Sequence, residues 1–154
     1  HIGSLSEVLG IEATRIIEGE IKKKNKDSGN LKRMSFYLCP ECNNVLWSTS
    51  SASIFCCGVK QEALTISEKK LDASIELIDD SYYITICHEM TKENHILFVS
   101  LVKDDMIITK RLYPEGEAAV SFPRTIRGTL YIGTSKGEFY RFTISDRKDG
   151  LILK

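Results

Sequence analysis

The 154-residue sequence contains no apolar run approaching the roughly 18 residues that would suggest a membrane span. It also lacks any excess of charge. Lys+Arg and Asp+Glu are both 21, so the formal net charge is zero. A neutral chain exerts no global pull on nucleic acid or on a membrane surface, and any such binding has to come from a local patch. The opening residues show no basic region followed by an apolar core, so no signal peptide is expected. Histidine is scarce, with three in the whole chain. The five cysteines are an odd number, two of them adjacent, which makes a poor disulfide framework. Without a secretory signal the expected compartment is a reducing cytoplasm, where such thiols stay free or bind metal.

What is present is an ordinary globular balance, 42% hydrophobic and 27% charged. The chain begins at His1 and reads as a fragment whose beginning has been removed. Ser4 to Glu20 reads as two short helices. Ser4 and Glu7 form a capping pattern, Leu5, Val8 and Leu9 repeat at helical spacing, and Gly10 and Gly19 interrupt. Lys22 to Arg33 is polar and basic. It reads as a flexible linker, with a phosphate-contacting arm as the sharper alternative. After Lys70 come seven β-like runs: Ser74–Ile78, Tyr82–Cys87, Ile96–Val102, Met106–Leu112, Ala118–Phe122, Thr129–Gly133 and Glu138–Ile144. Turn-forming clusters separate them, among them Lys103-Asp104-Asp105 and Ser135-Lys136-Gly137. This spacing suggests an antiparallel, immunoglobulin-like sandwich.

The chemistry concentrates in Cys39-Pro40-Glu41-Cys42 and Cys56-Cys57-Gly58. A tetrahedral soft-metal site needs four thiolates converging on one point. The first pair presents two sulfurs from one tight loop, whose amides can stabilise their charge. Gly58 relaxes the backbone that must turn for the second pair. Val45-Leu46-Trp47 and Ser53-Ile54-Phe55 are expected to form a small hairpin between the pairs. Four reduced cysteines without metal are the bland alternative, but so small an element needs a crosslink. Trp47 reads as a shield over the thiolates or a simple hairpin core residue.

Cys39-x-x-Cys42-x-Asn44 followed by Cys56-Cys57-Gly58 resembles the desulforedoxin unit of desulfoferrodoxins, in which four cysteines hold one iron. The resemblance implies Cys39, Cys42, Cys56 and Cys57 as the metal ligands here. Thiolate sites of this shape also take zinc, and the expected cofactor is one zinc or iron ion, with zinc ahead of iron. The segment Cys87-His88-Glu89-Met90 through Asn94-His95-Ile96 is similar to the superoxide reductase segment that begins HPM. Leu112-Tyr113-Pro114-Glu115-Gly116 resembles the turn that follows it. That family's catalytic iron takes four histidines and one cysteine. His88 matches one of them, Asn94 stands at the second histidine position, and His95 is one residue out of register. The C-terminal ligand pair falls on Gly133 and Lys136. The expectation is therefore no superoxide reductase activity, no catalytic residues and no enzyme. Cys87 and His88 remain a weak candidate pair.

Leu5 to Ile11 followed by Ile16-Ile17-Glu18-Gly19-Glu20 resembles the tail of Cro/repressor-type (XRE) helix-turn-helix domains. This implies a metal-binding accessory region of a bacterial transcriptional regulator. It would contact operator DNA in the intact protein only, through a domain missing here, with a homodimer as a candidate arrangement and no membrane partner. An iron-dependent oxidoreductase or electron-transfer protein, and a structural zinc dimerisation module, are the alternatives. The expected fold is mainly β, in five parts: short N-terminal helices at 1–21, the basic linker at 22–34, a desulforedoxin- or rubredoxin-like metal knuckle at 35–66, the sandwich at 67–147 and a tail at 148–154. Pro123-Arg124 and Arg127 read as a solvated turn, or as a contact for a partner or an anionic ligand.

Overall fold

The computed structural model describes residues 29–125, 127–147 and 150–154. Among these the regular structure is β, apart from one 3-10 turn at Leu31–Arg33, in which the Lys32 amide donates to the Asn30 side chain. This corrects the expected fold class. The described protein is all-β, and the segment assigned to short N-terminal helices lies outside the described residues. No helix among the described residues is long and apolar enough to cross a membrane.

Two hairpins come first: β1 (Ser35–Leu38) with β2 (Val45–Ser48), and β3 (Ile54–Cys56) with β4 (Val59–Gln61). The expected hairpin between Val45–Trp47 and Ser53–Phe55 is therefore not formed. Each strand pairs instead across the turn that carries its own cysteines. The turn residues decide this. Asn43 (φ 57°), Cys57 (φ 51°) and Gly58 (φ 73°) adopt left-handed backbone, which reverses the chain at the end of each cysteine pair.

The sandwich follows. β5 (Asp72–Ile78), β6 (Ser81–Cys87) and β9 (Ala119–Pro123) make a three-stranded sheet in the order β5-β6-β9. β7 (Ile96–Lys103), β8 (Met106–Arg111), β10 (Arg127–Thr134), β11 (Phe139–Arg147) and β12 (Gly150–Leu153) make a five-stranded sheet in the order β12-β11-β10-β7-β8. The seven expected runs all appear, with ends shifted by a few residues. β12 was read as tail; it pairs with β11 and completes the edge.

The five-stranded sheet buries both faces, which is why β7 is an almost unbroken apolar run. One face meets the three-stranded sheet through Tyr82, Ile84, Val99, Leu101, Phe122, Leu130 and Ile132. The other receives the cysteine-bearing hairpins, through a second core of Phe36, Leu38, Leu97, Phe98, Val102 and Phe139. The Phe36 ring sits 4.9 Å from Tyr131, 5.5 Å from Phe139 and 5.6 Å from Phe98. This aromatic group fastens β1 to the sheet, helped by Leu64 N donating to Phe36 O and Ser67 N donating to Phe139 O.

At the opposite face a polar clamp joins the two sheets. Arg124 donates twice to Asp146, at 2.6 and 3.3 Å, and the Tyr82 hydroxyl donates to the same carboxylate. The Arg124 guanidinium holds the Asp146 carboxyl below the ordinary carboxylate value of 3.8. A depressed carboxylate stabilises the fold above its unfolded pKa, and that contribution is lost as pH falls through the folded value. Asp146→Asn is therefore expected to lower the melting temperature at pH 7. Its deficit against the parent should shrink as thermal unfolding is followed below pH 4. A deficit independent of pH would show that the clamp acts through shape alone.

Candidate metal centre

The two short hairpins exist to present sulfur. The β1–β2 turn carries Cys39 and Cys42, and the β3–β4 turn carries Cys56 and Cys57. The four Sγ atoms lie within 4.8 Å of one another. Among the described residues this is the one group of three or more ligand-type side chains that converges. For a metal–sulfur bond of about 2.3 Å, a tetrahedron has sulfur–sulfur edges of about 3.8 Å. Cys42 Sγ and Cys56 Sγ are 3.6 Å apart. A disulfide would need about 2.05 Å, and all four thiols are free. The spacing and chemistry of the donor set fit one soft ion.

The surroundings act on the four thiols unequally. Burial pushes the Cys39 thiol up, but the amides of Cys42 and Glu41 and the Cys42 and Cys56 thiols pull it down to about 7. The Asn44 amide favours the Cys42 thiolate, but the Cys56 and Cys39 sulfurs and burial leave its pKa raised. Cys57, beside the Cys42 and Cys39 sulfurs, is pushed up to about 12. Like charges crowded this closely resist ionising together. The cluster thus ionises readily at one sulfur and retains protons at others until a cation replaces them.

Two supports escaped the sequence reading. Asn44 Nδ2 approaches Cys56 Sγ at 3.5 Å, linking the two turns. Arg111, from the end of β8, donates to Asn43 O at 3.0 Å and ties the first turn to the sandwich. An asparagine after CxxC is visible in sequence, but a contact spanning 68 positions carries no local signal. Exposure divides the four sulfurs. Cys39 is buried and Cys56 is partly covered, while Cys42 and Cys57 are exposed. Trp47 is no shield, because it lies on β2 with 45% of its surface exposed.

The other singled-out residues go elsewhere. His88 is half-buried, with Nδ1 2.7 Å from Glu89 O, and Cys87 is exposed at the end of β6. Asn94 donates to Glu89 at 2.7 Å. His95 is buried, its Nδ1 3.1 Å from Thr91 O. Strand alternation does not govern where His95 points. It precedes β7, and alternation is broken at once by a bulge, since Gly133 pairs with Phe98 and Thr134 pairs with Ile96. Leu97, passed over, packs in the same core as Phe98, while Ile96 faces the other. Gly133 packs its bare Cα against the Phe98 ring. Arg124 is committed to Asp146, whereas Arg127 faces Asp104 at 3.8 Å.

No protein-family model matches the chain, and no curated protein matches it. Among solved structures, the chain is similar to the crystal structure of the superoxide reductase from Treponema pallidum, with a TM-score of 0.60 at 20% identity. The match covers 70% of this chain and 95% of that one. It establishes a superoxide-reductase-like fold. It overturns the reading of the chain as the non-enzymatic accessory region of a DNA-binding regulator, since the fold that matches is that of an enzyme. The helix-turn-helix resemblance rested on residues 5–20, which lie outside the described residues, and the β framework that dominates the molecule lends it no support.

Proposed function

We propose that this protein is an iron-dependent oxidoreductase or electron-transfer protein, with iron held by Cys39, Cys42, Cys56 and Cys57. The observation that carries the reading is the convergence of four sulfurs on one point at the surface of a superoxide-reductase-like fold. A single iron among four thiolates supplies one-electron redox chemistry. The chain's own residues supply the conditions for it. Cys39 and its amide neighbours provide a thiolate near neutral pH. Asn44 and Arg111 hold the two turns in place, so the sulfur positions need little rearrangement when charge changes. The exposed Cys42 and Cys57 leave an approach for a redox partner, whereas a purely structural staple gains from burying all four sulfurs.

The test is metal analysis and redox titration of protein produced without added metal. The expected result is about one iron per chain, a visible thiolate-to-iron absorption, and its reversible bleaching by a one-electron reductant. Colourless protein with one zinc, unable to exchange it for iron, would support the structural zinc module instead. Superoxide consumption by the iron-loaded protein, compared with Cys56→Ser, tells whether the fold's enzymatic relative is a guide to substrate.

A further inference from the structure

A cavity of about 540 Å³ opens on the outer face of the five-stranded sheet, beside the docked hairpins. The 3-10 turn, the β7–β8 turn and the facing side chains of β10 and β11 enclose it. Four cationic side chains line it, Lys32, Lys103, Arg127 and Arg141, against a single carboxylate, Asp104. Two of these, Lys32 and Arg127, come from the separate stretches singled out in sequence as candidate anion contacts, here gathered around one hollow. The apolar part of the lining comes from Leu31, Val102 and Tyr131, which pack on this outer face.

The cationic residues around the hollow outnumber its one carboxylate. Asp104 lies 4.0 Å from Lys32 and 3.8 Å from Arg127, long and exposed pairs that contribute little and are easily exchanged. One carboxylate faces four cations, which leaves three positive charges around a concave surface in a chain whose net charge is zero. A compact group with two or three negative charges balances that excess, and guanidinium groups match phosphate oxygens in paired hydrogen bonds. The volume lies in the range of small-molecule sites, and a phosphate group alone leaves most of it unfilled. The remaining space lies over the apolar floor.

We propose that this cavity binds a phosphorylated organic molecule of nucleoside-diphosphate size. The phosphates meet Arg127, Arg141, Lys32 and Lys103, and the organic part lies over Leu31, Val102 and Tyr131. The site is distinct from the cysteine cluster. The cluster touches β8 at Arg111, and the cavity lies at the other end of the β7–β8 hairpin, on the order of 15 Å away along the strand. The proposal therefore does not depend on which ion the cysteines hold.

The test is calorimetric titration of the metal-loaded full chain with ADP, inorganic pyrophosphate, adenosine and a short duplex DNA at low salt, repeated at higher salt. ADP is expected to bind with a dissociation constant of roughly 10–100 µM, pyrophosphate more weakly and adenosine not measurably. Binding should weaken with salt. The double variant Arg127→Ala/Arg141→Ala should lose at least about tenfold in affinity while keeping its metal content. Asp104→Asn should bind ADP several-fold more tightly, because it removes the competing carboxylate; a merely structural role for Asp104 predicts no such gain. Failure of ADP and pyrophosphate to bind at millimolar concentration would overturn the proposal. So would ADP binding that is undiminished in the double variant, or a duplex DNA that binds more tightly than ADP and is lost in that variant.

Discussion

Cys42→Ser is expected to lower metal affinity by two orders of magnitude or more, since four-thiolate sites draw about 10–16 kcal/mol from their ion. The structural consequence should be local. β1 is anchored independently of the metal, with Phe36 and Leu38 in the core against the five-stranded sheet. The β3–β4 hairpin has no such anchor. Its strands are three residues each, Phe55 is 67% and Val59 57% exposed, and Gln61 is its one buried side chain. Two strands of that length are not stable alone. In Cys42→Ser, hydrogen exchange should therefore become fast across residues 54–61 and stay slow across residues 96–102. Equal loss of protection in both regions would show that the metal supports the whole molecule.

The same site should show a defined pH response. Loading the metal displaces the protons that Cys42 and Cys57 retain, both of which have raised pKa values. Affinity therefore rises with pH and falls on acidification. Cys39, lowered to about 7, is the thiol that ionises first in the metal-free cluster. Metal release followed at pH 5 and pH 8 should be markedly greater at pH 5. Equal retention at the two values would mean that the thiols are already ionised without metal.

Gly133→Ala is expected to destabilise the protein by about 3 kcal/mol, the upper part of the range for an overpacked core. A Cβ at this position would lie 2.1, 2.6 and 2.8 Å from three atoms of the Phe98 ring. That ring is fully buried and packs against Phe36 and Phe139, so it has nowhere to retreat. The melting temperature should fall by roughly 10 °C. A double-mutant cycle identifies the cause. Phe98→Ala/Gly133→Ala should be less destabilised than the sum of its single variants, because removing the ring removes the clash. Strict additivity would place the cost in the backbone of the bulge.

Some of this architecture was legible in the sequence and some was not. Period-two runs of Ile, Val, Tyr and Phe between turn residues located the seven central strands, because alternation and turn chemistry are local properties. The four sulfurs were legible for a similar reason. Cys39 and Cys42 share one turn, Cys56 and Cys57 another, and residue spacing alone restricts how far apart such pairs can sit. Strand pairing around them was not. Whether β2 meets β1 or β3 depends on left-handed backbone at Asn43 and Cys57, and asparagine and cysteine at those positions leave both pairings open. The bulge at Leu97 was not legible either, since it depends on what the neighbouring strand β10 presents.

What the sequence determined by itself was the alternating strands and a four-cysteine donor set. Tertiary structure alone decided which face of the sheet the cysteine hairpins cover, that Arg124 serves an inter-sheet clamp, and that Arg127 joins Lys32 around a cavity. It also gave the likeness to a superoxide reductase fold. The physical reason is range. Alternation and turn preference act over a few neighbouring residues, whereas burial, ion pairing and cavity walls join side chains from distant parts of the chain once the sheets have packed.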